Sequence, residues 1–215
     1  MSSIATSPGH FQRFAAGFGR FSMVLSALGL LVAVGLTLPS SWFDFARGSD
    51  SPSTGTTYTE MTPAAPVRLA VGGLSGVQFV APLVTSAVEP RQALRVPPED
   101  APLIGWWDGS AKAGAAHGQT LLLGHAAASG GGLTQIAQFA KGDLVDLLTD
   151  QGTMRYQVAT VRTFDPATMD RVGPSLFKQD GGGGRLVMMS AEAWDGAAYQ
   201  RTVVVTAAPL GEPAS

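Results

Sequence analysis

Leu186-Val-Met-Met-Ser-Ala191 and Arg201-Thr-Val-Val-Val-Thr-Ala207 are two short apolar runs, parted by the polar stretch 192–200. Valine and threonine suit a pleated strand better than a helix, so strands are expected over 186–189 and 202–207. The glycine run at 181–184 precedes the first of them and reads as a loop. No Lys-Ser/Thr and helix follow it, so it is not a phosphate cradle. Working outward, the same texture recurs at 67–71, 77–83, 120–123, 144–149 and 155–163, with turn residues bounding most segments. Only 133–139 has helical spacing, through Leu133, Ile136 and Phe139. Seven or eight short strands with hardly any helix predict a mainly β fold, a closed or nearly closed barrel.

The front of the chain has a different composition. Of 215 residues, 45% are hydrophobic and only 14% charged, an imbalance that a membrane segment explains. Residues 21–43 carry no charge, and roughly 20 residues cross a hydrocarbon core. Arg13 and Arg20 precede this stretch and the acidic Asp44 follows it, which predicts a single-pass anchor with residues 1–20 cytoplasmic and the remainder exported. A cleaved signal peptide is the rival, but Thr37-Leu-Pro-Ser-Ser41 offers no clean A-x-A site and the apolar stretch is long for one. Residues 44–65 are rich in Ser, Thr, Gly and Pro and read as a spacer. A folded domain is expected over 66–210, with a short tail at 211–215.

Several chemistries are excluded or unsupported. The chain has no cysteine, hence no disulfide, thiolate metal site or thiol nucleophile. Its three histidines are scattered, and no HExxH or EF-hand pattern occurs, so neither a metal nor a cofactor is expected. The net charge of −2, without a basic run, gives no reason to expect nucleic acid as a partner. Ser175-Leu-Phe-Lys178 matches S-x-x-K, but the S-D-N and K-T-G companions of penicillin-binding enzymes are missing. Glu99, Asp100 and Asp108 lack the dense oxygen spacing of a calcium site.

Six segments, in order, resemble the sortase family, and particularly its compact membrane-anchored classes E and F. They are Pro66-Val-Arg-Leu-Ala-Val-Gly-Gly-Leu-Ser-Gly-Val77; Leu94-Arg-Val-Pro-Pro98 with Ile104-Gly-Trp-Trp107; Thr120-Leu-Leu-Leu-Gly-His125; Phe139-Ala-Lys-Gly-Asp143; and the two runs quoted first. The resemblance covers about residues 66–210. It implies an eight-stranded barrel with short helices, and a cysteine transpeptidase of the Gram-positive envelope. Such enzymes cut LPxTG-like or LAxTG-like sorting signals of secreted proteins between Thr and Gly. They pass the thioester to an amine on a cell-wall precursor or a pilin, or to water as hydrolases.

Carried over residue by residue, the resemblance makes His125 the general acid and later base, and Arg201 the oxyanion stabiliser. A guanidinium fork suits that task better than an ammonium. The nucleophile is where the chain departs, because the family's Thr-Cys is Ser190-Ala191 here. A methyl group cannot attack a carbonyl, so the chain is expected to be inactive as written. A deliberate Cys→Ala change and a natural loss both fit. Ser190 is a poor replacement, since successive strand residues point to opposite faces; it is retained only as a substrate-side neighbour. Of the adjacent Trp106 and Trp107, one is expected to be buried and the other at a rim, where Trp107 would contribute to a peptide groove as a second reading beside packing. The alternative function is a non-catalytic module that binds sorting-signal peptides or envelope partners.

Overall fold

The computed structural model describes residues 56–86, 97, 101–126, 131–181 and 183–214. The expected anchor at 21–43 and most of the Leu94-Arg-Val-Pro-Pro98 motif lie outside the described residues. No helix among the described residues is long and apolar enough to cross a membrane.

In chain order the strands are β1 (Tyr58–Thr59), β2 (Arg68–Gly72), β3 (Phe79–Ser86), β4 (Ile104–Trp107), β5 (Gln119–His125), β6 (Leu144–Leu148), β7 (Thr153–Phe164), β8 (Arg185–Trp194) and β9 (Tyr199–Pro213). They hydrogen-bond in the order β1-β9-β7-β6-β2-β3-β4-β5-β8, and β8 pairs back onto β9. Strands β2 to β9 therefore close an eight-stranded barrel, which leaves no free edge among them. The β3–β4 and β5–β8 contacts are parallel, the others antiparallel.

Two apolar clusters flank the same strands. The barrel interior holds Leu69, Ile104, Trp106, Leu122, Val145, Leu147, Tyr156, Leu186, Met188, Val203 and Val205. The outer cluster sets Leu121, Leu123, Val187, Met189 and Val204 against Met169, Val172 and Leu176 of the helix α1 (Pro166–Phe177). β5 and most of β8 are thus covered on both sides, which is why they read as unbroken apolar runs rather than alternating ones.

Helix α1 was not expected from the sequence. Its signals are present: Asp165 accepts from Thr168 N at 2.9 Å as an N-cap, Pro166 fills the first turn, and Met169, Val172 and Leu176 share a face. Gly173-Pro174, inside its C-terminal half, reads as a breaker and conceals it. The helix expected at 133–139 is reduced to a 3₁₀ turn, Ile136–Gln138, with Leu133, Ile136 and Phe139 buried as the spacing required.

The spacer read as 44–65 is too long at its far end. Tyr58 and Thr59 pair with Pro213 and Glu212, and Ala64 exchanges backbone hydrogen bonds of 3.0 and 3.1 Å with Ala113. Met61 is buried in the interior cluster. The expected tail also shortens, because β9 runs to Pro213. Backbone pairing of this kind needs no apolar periodicity, so composition alone does not reveal it.

A polar latch fixes the turn after β2. Asp143 is fully buried and accepts from Ser75 N at 2.9 Å, Ser75 Oγ at 2.5 Å and Ala140 N at 2.9 Å. Burial works against its charge, but the Ser75 hydroxyl and the Ala140 and Ser75 amides outweigh that and hold the carboxyl below its ordinary range. Residue 73 must be glycine there, since a Cβ would lie 2.7 Å from Asp143 Oδ1.

Candidate functional site

Cover on both sides fixes where β5 and β8 point their side chains. Leu121 and Leu123 lie under α1, so His125 follows them to that side by alternation. Val187 and Met189 carry Ala191 to the same side, while Leu186 and Met188 carry Ser190 inward. The parallel register places His125 beside Ala191, and the antiparallel register of β8 and β9 places Ala191 opposite Thr202. His125, Ala191 and Thr202 form one row across three neighbouring strands, each strand step being about 4.8 Å. All three are buried.

His125 is only 4% exposed. Its carbonyl accepts from Leu133 N at 3.0 Å. The returning chain comes so close at Gly131 that a Cβ would lie 2.3 Å from that oxygen, so only glycine fits. On the ring, Nδ1 lies 3.2 Å from the Tyr199 hydroxyl, and the two ring centroids are 5.7 Å apart. Tyr199 packs in turn on Trp194 at 5.0 Å.

Arg201 is placed differently from His125 and Ala191. Its cross-strand partner is Glu192, one step out of phase with Ala191, and its Nε donates to Glu192 Oε2 at 3.2 Å. The Glu192 side chain is 10% exposed and the Arg201 side chain 56%. The turn beyond closes on Asp195, which accepts from Ala197 N at 2.8 Å, Ala198 N at 2.9 Å and Gln200 Nε2 at 2.6 Å. The amides of Ala198 and Ala197 hold its carboxyl below the usual range. Between Glu192 and Trp194, Ala193 has φ 57°, a left-handed backbone that costs a residue with a Cβ about 1 kcal/mol or more. Ser190 Oγ is buried without a hydrogen-bond partner.

Trp106 is buried in the barrel interior and Trp107 is half-buried outside it. Trp107 packs edge-on against Phe177 of α1 at 6.1 Å. Trp106 is opposite Leu122, so Trp107 is level with Leu121, four residues or about 13 Å along β5 from His125. The structure brings His125 and Ala191 together, turns Ser190 inward, and sets Arg201 and Trp107 apart from them. Sequence reading missed Tyr199, Thr202 and the Glu192 ion pair. All three depend on the β8–β9 register, which is set by the turn geometry at 195–198 and not by strand composition.

His125 ends β5 beside Ala191 of the parallel β8, within a closed eight-stranded barrel. The sortase domain model matches residues 77–209, more than half of the chain, and the chain belongs to the sortase family. Solved structures show the same fold. Sortase C of Streptococcus pneumoniae aligns with TM-score 0.50 and 11% identity over 73% of this chain and 74% of that one. Sortase E1 of Streptomyces coelicolor, solved with a tripeptide in its active site, aligns with TM-score 0.50 and 18% identity over 71% of this chain and 93% of that one. A search of curated proteins returned no match.

Proposed function

We propose that this chain is a sortase-family domain, membrane-anchored through residues 21–43 and facing outward, that does not catalyse transpeptidation because residue 191 has no nucleophilic atom. The observation that supports the reading is the register pair His125–Ala191: a histidine suited to acid–base work neighbours a residue whose side chain is only a methyl. The family reaction needs a thiolate to form the thioester, an acid for the leaving amine and a donor for the oxyanion. Only the second of these lies in the buried row. The substrates proposed are LPxTG-like or LAxTG-like sorting signals, with an amine of a cell-wall precursor or pilin as acceptor.

The test is to restore the thiol. Ala191→Cys, assayed against a varied pentapeptide library, should cleave at least one member, and adding His125→Ala should abolish that turnover. No turnover across the library would sink the transpeptidase reading. Orientation is checked separately: a reporter active only in the cytoplasm, fused after Ser215, should stay silent.

The Glu192–Arg201 ion pair favours a second reading, a non-catalytic peptide-binding module. The Arg201 Nε is tied to a carboxylate one step out of phase with residue 191, which holds the guanidinium beside Glu192 rather than beside Ala191. Under this reading Ala191→Cys gains no turnover while the chain still binds sorting-signal peptide. Under the transpeptidase reading Arg201→Ala in the Ala191→Cys protein costs about 10²–10³-fold in kcat/KM, the loss of an oxyanion donor.

A further inference from the structure

Tyr199 joins the site through two contacts at once. Its hydroxyl meets His125 Nδ1 at 3.2 Å, and its ring lies between those of His125 and Trp194, at 5.7 and 5.0 Å. Tyr199 and Trp194 are register partners across β8 and β9, and the left-handed Ala193 directly precedes Trp194. The backbone is therefore strained at the residue that presents this aromatic pair beside the histidine, a placement typical of functional sites.

We propose that Tyr199 is a positioning residue that fixes the ring and the tautomer of His125. A neutral imidazole has one donor and one acceptor nitrogen, and the partner of one nitrogen decides the role of the other. A phenol is a better donor than acceptor, so Tyr199 Oη–H donates to Nδ1 and the ring hydrogen resides on Nε2. No bond to a heavy atom forms or breaks; the hydroxyl proton stays on Tyr199 and the imidazole proton on Nε2. Nε2 then carries a hydrogen rather than the lone pair that would take a proton from a nucleophile at position 191. That consequence rests on the sortase reading proposed above, whereas the tautomer does not.

The tautomer is measured directly, without any turnover, by long-range proton–nitrogen NMR of the imidazoles in the unaltered chain at alkaline pH, with His125 assigned by loss of its signals in His125→Gln. The expected result is an acceptor-type Nδ1 and a protonated Nε2. Tyr199→Phe, which keeps the ring packed on Trp194 but removes the hydroxyl, should lose this single tautomer in favour of a mixture, with unchanged thermal stability to within a few degrees. A purely packing role for Tyr199 would leave the nitrogen signals of Tyr199→Phe like those of the parent, and that overturns the proposal. An Nδ1–H imidazole in the unaltered chain overturns it too, and decides the matter even if Tyr199→Phe does not fold. Failure of Ala191→Cys to cleave peptides, with the tautomer as expected, would count against the transpeptidase reading alone.

Discussion

The two ends of β5 bury polar side chains on opposite terms. At its start, Gln119 is fully buried and every polar atom of its amide is used. Nε2 donates to the carbonyls of Leu176 and, at 2.8 Å, Lys178, and Oε1 accepts from Arg185 Nε at 2.7 Å. Its backbone is tied as well, with N–H donating to Gln179 Oε1 at 3.1 Å. This network fastens the end of α1 to the barrel. At the other end, six residues on, His125 stands beside an alanine, Ser190 Oγ has no partner, Glu192 pairs with a mostly exposed arginine, and Ala193 is strained. Unpartnered buried atoms are not confined to that end, since Thr120 Oγ1, next to Gln119, is one as much as Ser190 Oγ. The two ends differ in how firmly a side-chain amide ties them to the fold: Gln119 is fastened to α1 and β8, and among the described residues nothing comparable holds the row of His125 and Ala191.

The difference is open to attack from the structural end first. Gln119→Leu strands two carbonyls and the Arg185 guanidinium, so it should destabilise the domain by roughly 3 kcal/mol, read from a urea midpoint. A near-neutral result would mean that the start of β5 is no better satisfied than its end. Removing residues 1–65 rather than 1–55 takes away β1 and the buried Met61. The shorter chain should unfold earlier by roughly 2 kcal/mol, if the lost methionine burial is only partly made good.

Asp143 sharpens the comparison through pH. Its folded carboxyl is held below the ordinary value, so the stability it contributes is present above the unfolded pKa and is lost as pH falls through the folded one. The thermal midpoint should therefore drop as pH is lowered from about 5 towards 2, a fall that starts about one unit above the ordinary aspartate value near 3.9. Asp143→Asn should flatten that drop. The smallest effect is expected at the site itself. Ser190→Ala removes a hydroxyl that already lacks a partner, so the urea midpoint should change by less than about 0.5 kcal/mol or rise slightly. A loss above about 1.5 kcal/mol would show that Ser190 is satisfied and belongs with Gln119.

Much of this was legible in the sequence because strand identity here follows from local composition. Leu-Val-Met-Met of 186–189 and the Leu-Leu-Leu before Gly124 cannot face water on either side, and they became the doubly covered strands. What escaped detection depended on tertiary pairing. Tyr58-Thr59 is a strand only because the end of β9 lies beside it. The Ile104–Trp107 segment, quoted as a motif, was not read as a strand because adjacent tryptophans show no alternation; one fills the interior and the other backs onto α1. The site was half legible. His125 and residue 191 sit at the ends of strands whose motifs fix them, but the partners of Arg201 and Tyr199 are set by a register that counts through the 195–198 turn.

The central claim is that His125 faces a position without a nucleophile, and intact-mass spectrometry of the domain with an excess of LPxTG-like or LAxTG-like peptide tests it most directly. The account predicts no acyl adduct and no cleavage by the unaltered chain, and a peptide-sized adduct on the introduced thiol of Ala191→Cys that is lost when His125 is replaced. A peptide adduct on the unaltered chain that disappears in Ser190→Ala or Thr202→Val would contradict it, because a hydroxyl beside residue 191 would then be the nucleophile.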